Sequence, residues 1–543
     1  MGWDPSHPRS LRATRPGRPR PRGHGCAGVS HAVPSRRNVP AVDSVEGRRG
    51  HEGQGGDPVT QVDLEIVGGR VVDPATKVDR VATVGVHDGR IAYISSDGPR
   101  GAETTLDASE LVVAPGFVDI HSHADDNISL QLQVLDGVTT ALELEAGASP
   151  VRNAYAHAQE QGRITNFGFS ASWAQRRMEA LAGVKLTGSH HTFFENIGKP
   201  DWRRHATKVE LNRLLDALQD DFTNGALGIG MLVGYAQEID PVEYQAVAAL
   251  AESAGVPVYT HARDLSETRA DVLIDGAQEI IQAAIKTGAR MHYCHVNSTS
   301  RQHLDRVHAD ISRAWEEGAR LTLESHPYGA GMTGIGAEFL SPERLPEWGI
   351  TPERLLYAPT GEWVGTNDRL RELRSQDPGG LVLIQYFDER NERDLAMMTA
   401  AIQHEHTVIA SDAMTVVPPP GAAPGTWSLA DGRTHPRTSG TFSRGIRMLH
   451  RDQGLPLMEV LAKVTSMPSK VLEGADGMAR KGTLKVGSDA DITIFDPTTI
   501  TDQATPTEST RTSTGVQHVF VHGQAVVSDG KYTGALPGRP VRW

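Results

Sequence analysis

Apolar residues in this chain fall in short runs rich in Val, Ile, Leu and Phe, and many of these runs end on a polar side chain. The stretch Val112 to His123, VVAPGFVDIHSH, shows the pattern most clearly. It is an apolar run interrupted by Pro115-Gly116 and closed by two histidines one residue apart, which reads as a buried strand whose last turn carries function. Residues i and i+2 of a strand point the same way, so His121 and His123 project together. Two imidazoles held like that make half of a divalent metal site, with Zn²⁺ the first candidate for nitrogen donors. The polar Asp125-Asp126-Asn127 follows directly.

At both ends of the chain the pattern is different. LEIVGGRVVDPATKVDRVATVGVHDGRIAYISS, from Leu64, alternates β-branched runs with Gly-Gly, Asp-Pro and Asp-Gly turn signals, and SDADITIFDP and VQHVFVHGQAVVSDGKYT repeat that style near the C-terminus. Both read as small antiparallel sheets, and two β-rich ends around a long middle predict that they pair into one sandwich. The middle alternates apolar strands, at 137–147, 164–172, 226–232, 256–264, 290–296, 320–328, 381–387 and 406–414, with helical patterns such as 241–255 and 266–288. Alternation of this kind predicts a parallel sheet, and about eight repeats predict a closed (β/α)8 TIM barrel. The expected division is therefore a leader at 1–58, a β-sandwich from 59–113 with 484–543, and a barrel over 114–483. The polar, Pro-interrupted stretch near 329–380 is expected as an insertion, either a lid or a surface excursion, because it is too long for a plain loop.

In such a barrel the polar residues at the carboxyl ends of the strands converge on one mouth. After His121 and His123 these are Glu143 and Glu145, then His261 in YTHARD, His295 in YCHVNS and Asp412 in ASDAM. Four histidines and two or three carboxylates describe a nitrogen and oxygen site for one or two Zn²⁺ ions, or another borderline divalent metal. Glu143 and Glu145 share a strand face, so either can ligate while the other supports a ligand; Glu145 lies nearer the strand end. Cys294 alternates with His295 and reads as a buried structural thiol, and His292 shares its parity and is expected to point away from the metal.

Composition narrows the partners. The 543 residues carry 67 acidic against 54 basic side chains, a formal charge of −13, which disfavours nucleic acid or an anionic membrane and leaves small solutes. No run of about 18 apolar residues predicts a membrane span. Two cysteines, Cys26 and Cys294, make no disulfide framework, so a reducing, cytoplasmic setting is expected. Residues 1–58, crowded with Arg, Pro and Gly, read as a disordered leader without the apolar core of a secretion signal.

GFVDIHSH, GVTT, the later single histidines, ASDA and GTLKVGSDADITIFDP together resemble the amidohydrolase superfamily, over the chain from about residue 62 to its end. Within it, GALGIGMLVGYA, SHPYGAG, HPRTSGTF and VTSMPSKVLEG resemble the N-acyl-D-amino-acid deacylase, or D-aminoacylase, branch. The resemblance implies a metal-bearing barrel flanked by a sandwich of both chain ends. It also implies metal-centre roles for His121, His123, His261, His295 and Asp412, with Asp412 the proton carrier. Arg437 becomes the clamp for the substrate α-carboxylate and Tyr328 a polar contact near the scissile carbonyl. Where the branch usually has a bridging Cys this chain has Ala146, so Glu143 or Glu145 is expected to bridge; where a Lys often follows the fourth histidine it has Asn297. Other amidohydrolases bridge metals with a carboxylated Lys, for which Lys185 is the weakly placed candidate.

The activity expected is hydrolysis of a linear amide by metal-activated water, deacylating N-acyl-D-amino acids. Two rivals are a cyclic-amide hydrolase of the dihydropyrimidinase type and a non-catalytic interaction protein on the same scaffold. Side chain, acyl length, stereochemistry and oligomeric state are not written in the sequence.

Overall fold

Eight short parallel strands form a ring: Phe117–Asp119, Val138–Glu143, Asn166–Phe169 continued by Ala171–Ser172, Ile229–Leu232, Val258–His261, Met291–Tyr293, Leu321–Ser325 and Thr407–Ile409. The computed structural model describes residues 62–423 and 425–543, so the expected leader and Cys26 lie outside the described residues. Neighbouring strands pair in parallel around the ring, with registers such as Ile229 to Val258, Val258 to Met291 and Met291 to Leu321. Closure comes from the segments just past the eighth and first strands. Asp412 N–H donates to the His121 carbonyl at 2.8 Å and His123 N–H to the Ala413 carbonyl at 2.8 Å. The fold is thus a closed (β/α)8 barrel, as the strand-helix alternation predicts.

The helices start and stop on local chemistry. Pro241–Ala254 follows Asp240, whose carboxylate accepts from Val242 N–H, and it ends at Gly255 with φ 74°. The helix expected over 266–288 is shorter, Gly276–Thr287, because Asp275 caps it by accepting from Ala277 and Gln278 N–H. Ser266 and Arg306 also bind the Asp275 carboxylate, which ties the preceding ten residues down as a loop. Among the described residues no helix is long and apolar enough to cross a membrane.

VVAPGFVDIHSH does not form one strand. It divides at Gly116, with Val112–Pro115 in a different sheet from Phe117–Asp119. That second sheet has seven strands and mixes both chain ends: Val112–Pro115 pairs antiparallel with Ile492–Phe495 on one side and parallel with Arg70–Asp73 on the other. Val113, Ile492, Ile494 and Phe520 turn one face toward Ile66, Val84, Val86 and Ile91 of a four-stranded N-terminal sheet. Val112, Ala114, Phe495 and Val519 turn the other toward Phe117, Val138 and Phe442 of the barrel. The alternation of period two therefore buries both faces of this sheet, one in the sandwich and one against the barrel.

The run at 381–387 is not a barrel strand. Leu381–Gln385 pairs antiparallel with Ala330–Gly334 and Leu355–Tyr357 in a four-stranded sheet between the seventh and eighth barrel strands. Both of its faces are covered, so its composition copies that of a barrel strand.

Candidate metal centre

Every strand-end residue singled out in the sequence reaches the carboxyl-terminal mouth of the ring. His121 and His123 follow the first strand, Glu143 ends the second with Glu145 two residues beyond, and His261 ends the fifth. His295 and Asp412 lie past the sixth and eighth strands, and both have left-handed backbones, φ 29° and 51°. Such a conformation costs free energy in a non-glycine residue, and at Asp412 it is held by the N–H bond to the His121 carbonyl that closes the ring. Arg437 is the first residue of helix Arg437–Ile446, which brings it in from above.

Four imidazole nitrogens face one another. His121 Nε2 lies 3.1 Å from His123 Nε2, and His295 Nε2 lies 3.1 Å from His261 Nδ1. Between these pairs sits the Glu145 carboxylate, which divides its oxygens. Oε2 is 3.3 Å from His121 Nε2 and 3.7 Å from His123 Nε2; Oε1 is 2.6 Å from His295 Nε2 and 3.1 Å from His261 Nδ1. Asp412 Oδ1 closes the first side, 3.3 Å from His123 Nε2 and 3.5 Å from His121 Nε2, with Arg437 Nη2 at 2.8 Å.

An outer layer fixes which nitrogens face inward. Glu143 Oε2 accepts from His123 Nδ1–H at 2.8 Å, and Glu324 Oε1 accepts from His121 Nδ1–H. Carboxylates only accept, so each histidine carries a proton on Nδ1 and Nε2 is the nitrogen turned to the centre, where an ion would displace any proton it holds. Ser298 Oγ lies 3.0 Å from His295 Nδ1 and does the same there. Glu324 is itself anchored by His292 Nε2 at 2.9 Å, whose Nδ1 reaches Thr322 Oγ1 at 2.7 Å.

The electrostatics describe a hole for positive charge. Glu143, Glu145, Glu324 and Asp412 are buried together, and the guanidinium facing them among the described residues is that of Arg437. Burial opposes protonation of His121, yet Glu324, Glu145 and Asp412 outweigh it and hold the imidazole well above the usual histidine range. His123 is raised in the same way, against burial, by Glu143, Asp412 and Glu145. In the reverse sense, burial opposes ionisation of Glu145 and Asp412. His295 and His121 nevertheless hold the first, and Arg437 and His121 the second, well below the carboxylate range. His261 is lowered, chiefly by burial. A buried set of four carboxylates with one guanidinium needs further cations, and inward-facing imidazoles beside carboxylates are the donor set of borderline divalent ions. The residues present therefore fit a metal centre.

A cavity opens onto this cluster. Its floor is His123, Glu145, His261, His295, Asp412 and Arg437; its walls are mainly apolar, with Phe193, Phe194, Leu232, Met332, Phe339 and Trp348. Arg437 is buried; its Nη2 is paired with Asp412 Oδ1, and its Nε makes no hydrogen bond to any described residue. Ala146 is on the lining beside Glu145. Tyr328 is not: its ring lies under the Arg444 guanidinium, 4.4 Å away, and it lines a separate outer cavity of about 680 Å³. Tyr386 occupies the cavity wall instead, its hydroxyl 3.4 Å from His326 Nε2. Asn297 donates to the His326 carbonyl at 3.0 Å, and Lys185 is exposed on the surface.

Glu324 is the partner that strand-end reasoning passes over. Its signal is weak, one acidic residue within the apolar strand RLTLES. The expectation for Cys294 also needs correction: its thiol lies against His121 and Glu324, not on the far side of a strand. The strand ends at Tyr293, so its alternation does not extend to Cys294 and His295.

Comparison with known proteins fits this geometry. A family model described as the amidohydrolase family matches residues 174–527. The D-aminoacylase of Alcaligenes xylosoxydans xylosoxydans is 27% identical over 88% of this chain and 97% of its own length. The N-acyl-D-glutamate deacylase of the same organism is 28% identical over 89% and 97%. Among solved structures, the N-acyl-D-glutamate deacylase of Bordetella bronchiseptica, described as complexed with zinc and a phosphonate mimic of the tetrahedral intermediate, superposes with a TM-score of 0.70. It shares 24% identity and covers 89% of this chain and all of its own.

Proposed function

Because the chain belongs to the amidohydrolase family, we propose that it is a metal-dependent hydrolase that deacylates N-acyl-D-amino acids, releasing a carboxylate and a free amino acid. The carrying observation is the Glu145 carboxylate set between two imidazole pairs, with Asp412 and Arg437 at its edge. The names of relatives matched over nearly their full length support the substrate class. Zinc is the ion assigned first, one or two per chain. His121, His123 and Asp412 would hold one ion, His261 and His295 the other, and Glu145 would bridge them. Such an ion would lower the pKa of a bound water to about 7 and polarise the carbonyl oxygen.

The chain's own groups supply the rest. Asp412 is kept ionised by Arg437, so it is ready to accept the proton of an attacking water. Returning that proton to the leaving nitrogen completes the reaction, because an amine leaves poorly without it. Arg437 lines the cavity with its Nε unpaired beside the Nη2 that faces Asp412, and this guanidinium would hold a carboxylate and so fix the amide against the centre. The apolar walls receive the acyl group or the side chain and keep bulk water away. The partner is thus a small N-acylated amino acid, and the buried free thiol Cys294 is in keeping with a cytoplasmic setting.

The test is a hydrolysis screen of N-acetyl D- and L-amino acids beside hydantoin, with metal content measured on the same sample. Release of D-amino acids by protein carrying one or two ions per chain is expected. Metal-free activity, or hydantoin opening with no amide hydrolysis, overturns the proposal.

A further inference from the structure

A second group of metal-ligand side chains stands outside the barrel centre. Asp125 lies in the loop after His123, and His190 and His191 lead into the short helix His191–Asn196. His190 Nδ1 is 2.9 Å and His191 Nε2 3.8 Å from the two Asp125 carboxylate oxygens, and one donor atom from each residue fits within 4.8 Å of the others. The two rings are neighbours, with centroids 4.4 Å apart. His190 is buried, its Nδ1 is paired with Asp125, and its other nitrogen, Nε2, reaches Thr415 Oγ1 at 3.5 Å, so an ion here takes the place of the proton between Nδ1 and the carboxylate. His191 is more than half exposed, with room to turn. All three residues open onto a cavity of about 300 Å³ that is also lined by Asp126, His157 and Glu143, separate from the substrate cavity.

We infer that Asp125, His190 and His191 form an additional divalent-cation site, with Zn²⁺ or Co²⁺ as ligand and water from this cavity in the open positions. Donors of a tetrahedral ion at about 2.1 Å stand roughly 3.4 Å apart, which is the spacing these atoms straddle. Two imidazoles and one carboxylate are a borderline-metal set, not one for Ca²⁺ or Mg²⁺. The site bears on substrate binding. Thr415 also donates to the His123 carbonyl at 3.1 Å, and the helix that begins at His191 carries Phe193 and Phe194 to the wall of the substrate cavity. An ion here pins that wall.

Chain stripped by chelator and dialysed against zinc sulfate tests this by elemental analysis, a count that does not depend on the hydrolase reading. Wild type is expected to retain one more zinc per chain than His191→Ala or Asp125→Asn, while His205→Ala, which removes an exposed histidine elsewhere, keeps the wild-type count. Equal counts in wild type, His191→Ala and Asp125→Asn overturn the inference, and so does an equal loss in His205→Ala. With an N-acyl-D-amino acid as substrate, added zinc is expected to lower KM severalfold in wild type and to leave it unchanged in His191→Ala. A KM response equal in both overturns the link to the cavity wall.

Discussion

Glu324 offers the sharpest measurement of how much the outer layer contributes. Its side chain is 2% exposed and accepts from His121 Nδ1–H and His292 Nε2–H, with the His295 N–H at 3.4 Å. Glu324→Gln keeps the shape. The amide oxygen can still accept from His121, and His292 can change tautomer, accept from the new NH₂ and donate to Thr322. Neither histidine loses its partner, so the change removes mainly the charge that strengthens His121 as a ligand. Partners of this kind are worth about 10–100-fold in metal affinity, which is about 1.4–2.7 kcal/mol. Glu324→Ala instead leaves two buried donors unpaired, at about 1–3 kcal/mol each, and should lower the unfolding midpoint of the metal-free protein as well. Chelator competition for zinc, run beside urea unfolding of both metal-free variants, separates the effects. Zinc affinity within twofold of wild type in Glu324→Gln would refute the reasoning.

Asp412→Asn should retain the metal of the centre yet lose about 10²–10⁴-fold in kcat, the usual contribution of a positioned acid–base group, read by steady-state assay and elemental analysis together. Because the cavity floor has one cation, Arg437, facing mainly apolar walls, kcat/KM for N-acetyl-D-phenylalanine or -leucine should exceed that for N-acetyl-D-glutamate by at least about tenfold, about 1.4 kcal/mol. Burial, with His404 beside it, lowers the His308 pKa to about 4 from an ordinary 6.5. The unfolded chain then binds the extra proton first, so stability should fall as pH drops from 6.5 through 4. His308→Asn should flatten that slope in urea midpoints taken at pH 7, 5.5 and 4.5, and an unchanged slope would remove His308 from the account.

What the sequence disclosed was governed by geometry that repeats. Parallel strands in a ring all end at one mouth, so a polar residue at the end of an apolar run points to the site without any knowledge of its neighbours; His121, His123, Glu145, His261, His295 and Asp412 were legible for that reason. Glu324 and His292 were not, since they lie within strands buried on both faces, where no alternation marks which side looks toward the centre. The run at 381–387 misled through the same property, because a covered antiparallel strand and a barrel strand share a composition and differ only in their partner. Parity failed at Cys294 because the strand stops at Tyr293, one residue before it.

The divide at Gly116 shows how the sandwich takes part in the site. A Cβ there would lie 2.2 Å from Thr139 Oγ1, so the chain turns closely against the second barrel strand as it leaves the terminal sheet. Gly116 N–H donates to the Asp491 carbonyl at 2.8 Å, and the Asp491 carboxylate holds both Asn166 of the third barrel strand, at 2.8 Å, and Lys481, at 2.9 Å. Thr493 Oγ1 adds a bond to the Gly137 carbonyl at 2.7 Å. The motif SDAD near the C-terminus thus anchors the base of the first three barrel strands. The first strand leaves that anchor with only three residues before Ile120 and His121, too few to absorb a change of direction. The bearing of the two histidines on the centre is therefore set partly by a sheet at the opposite end of the barrel, and that sheet requires both ends of the chain.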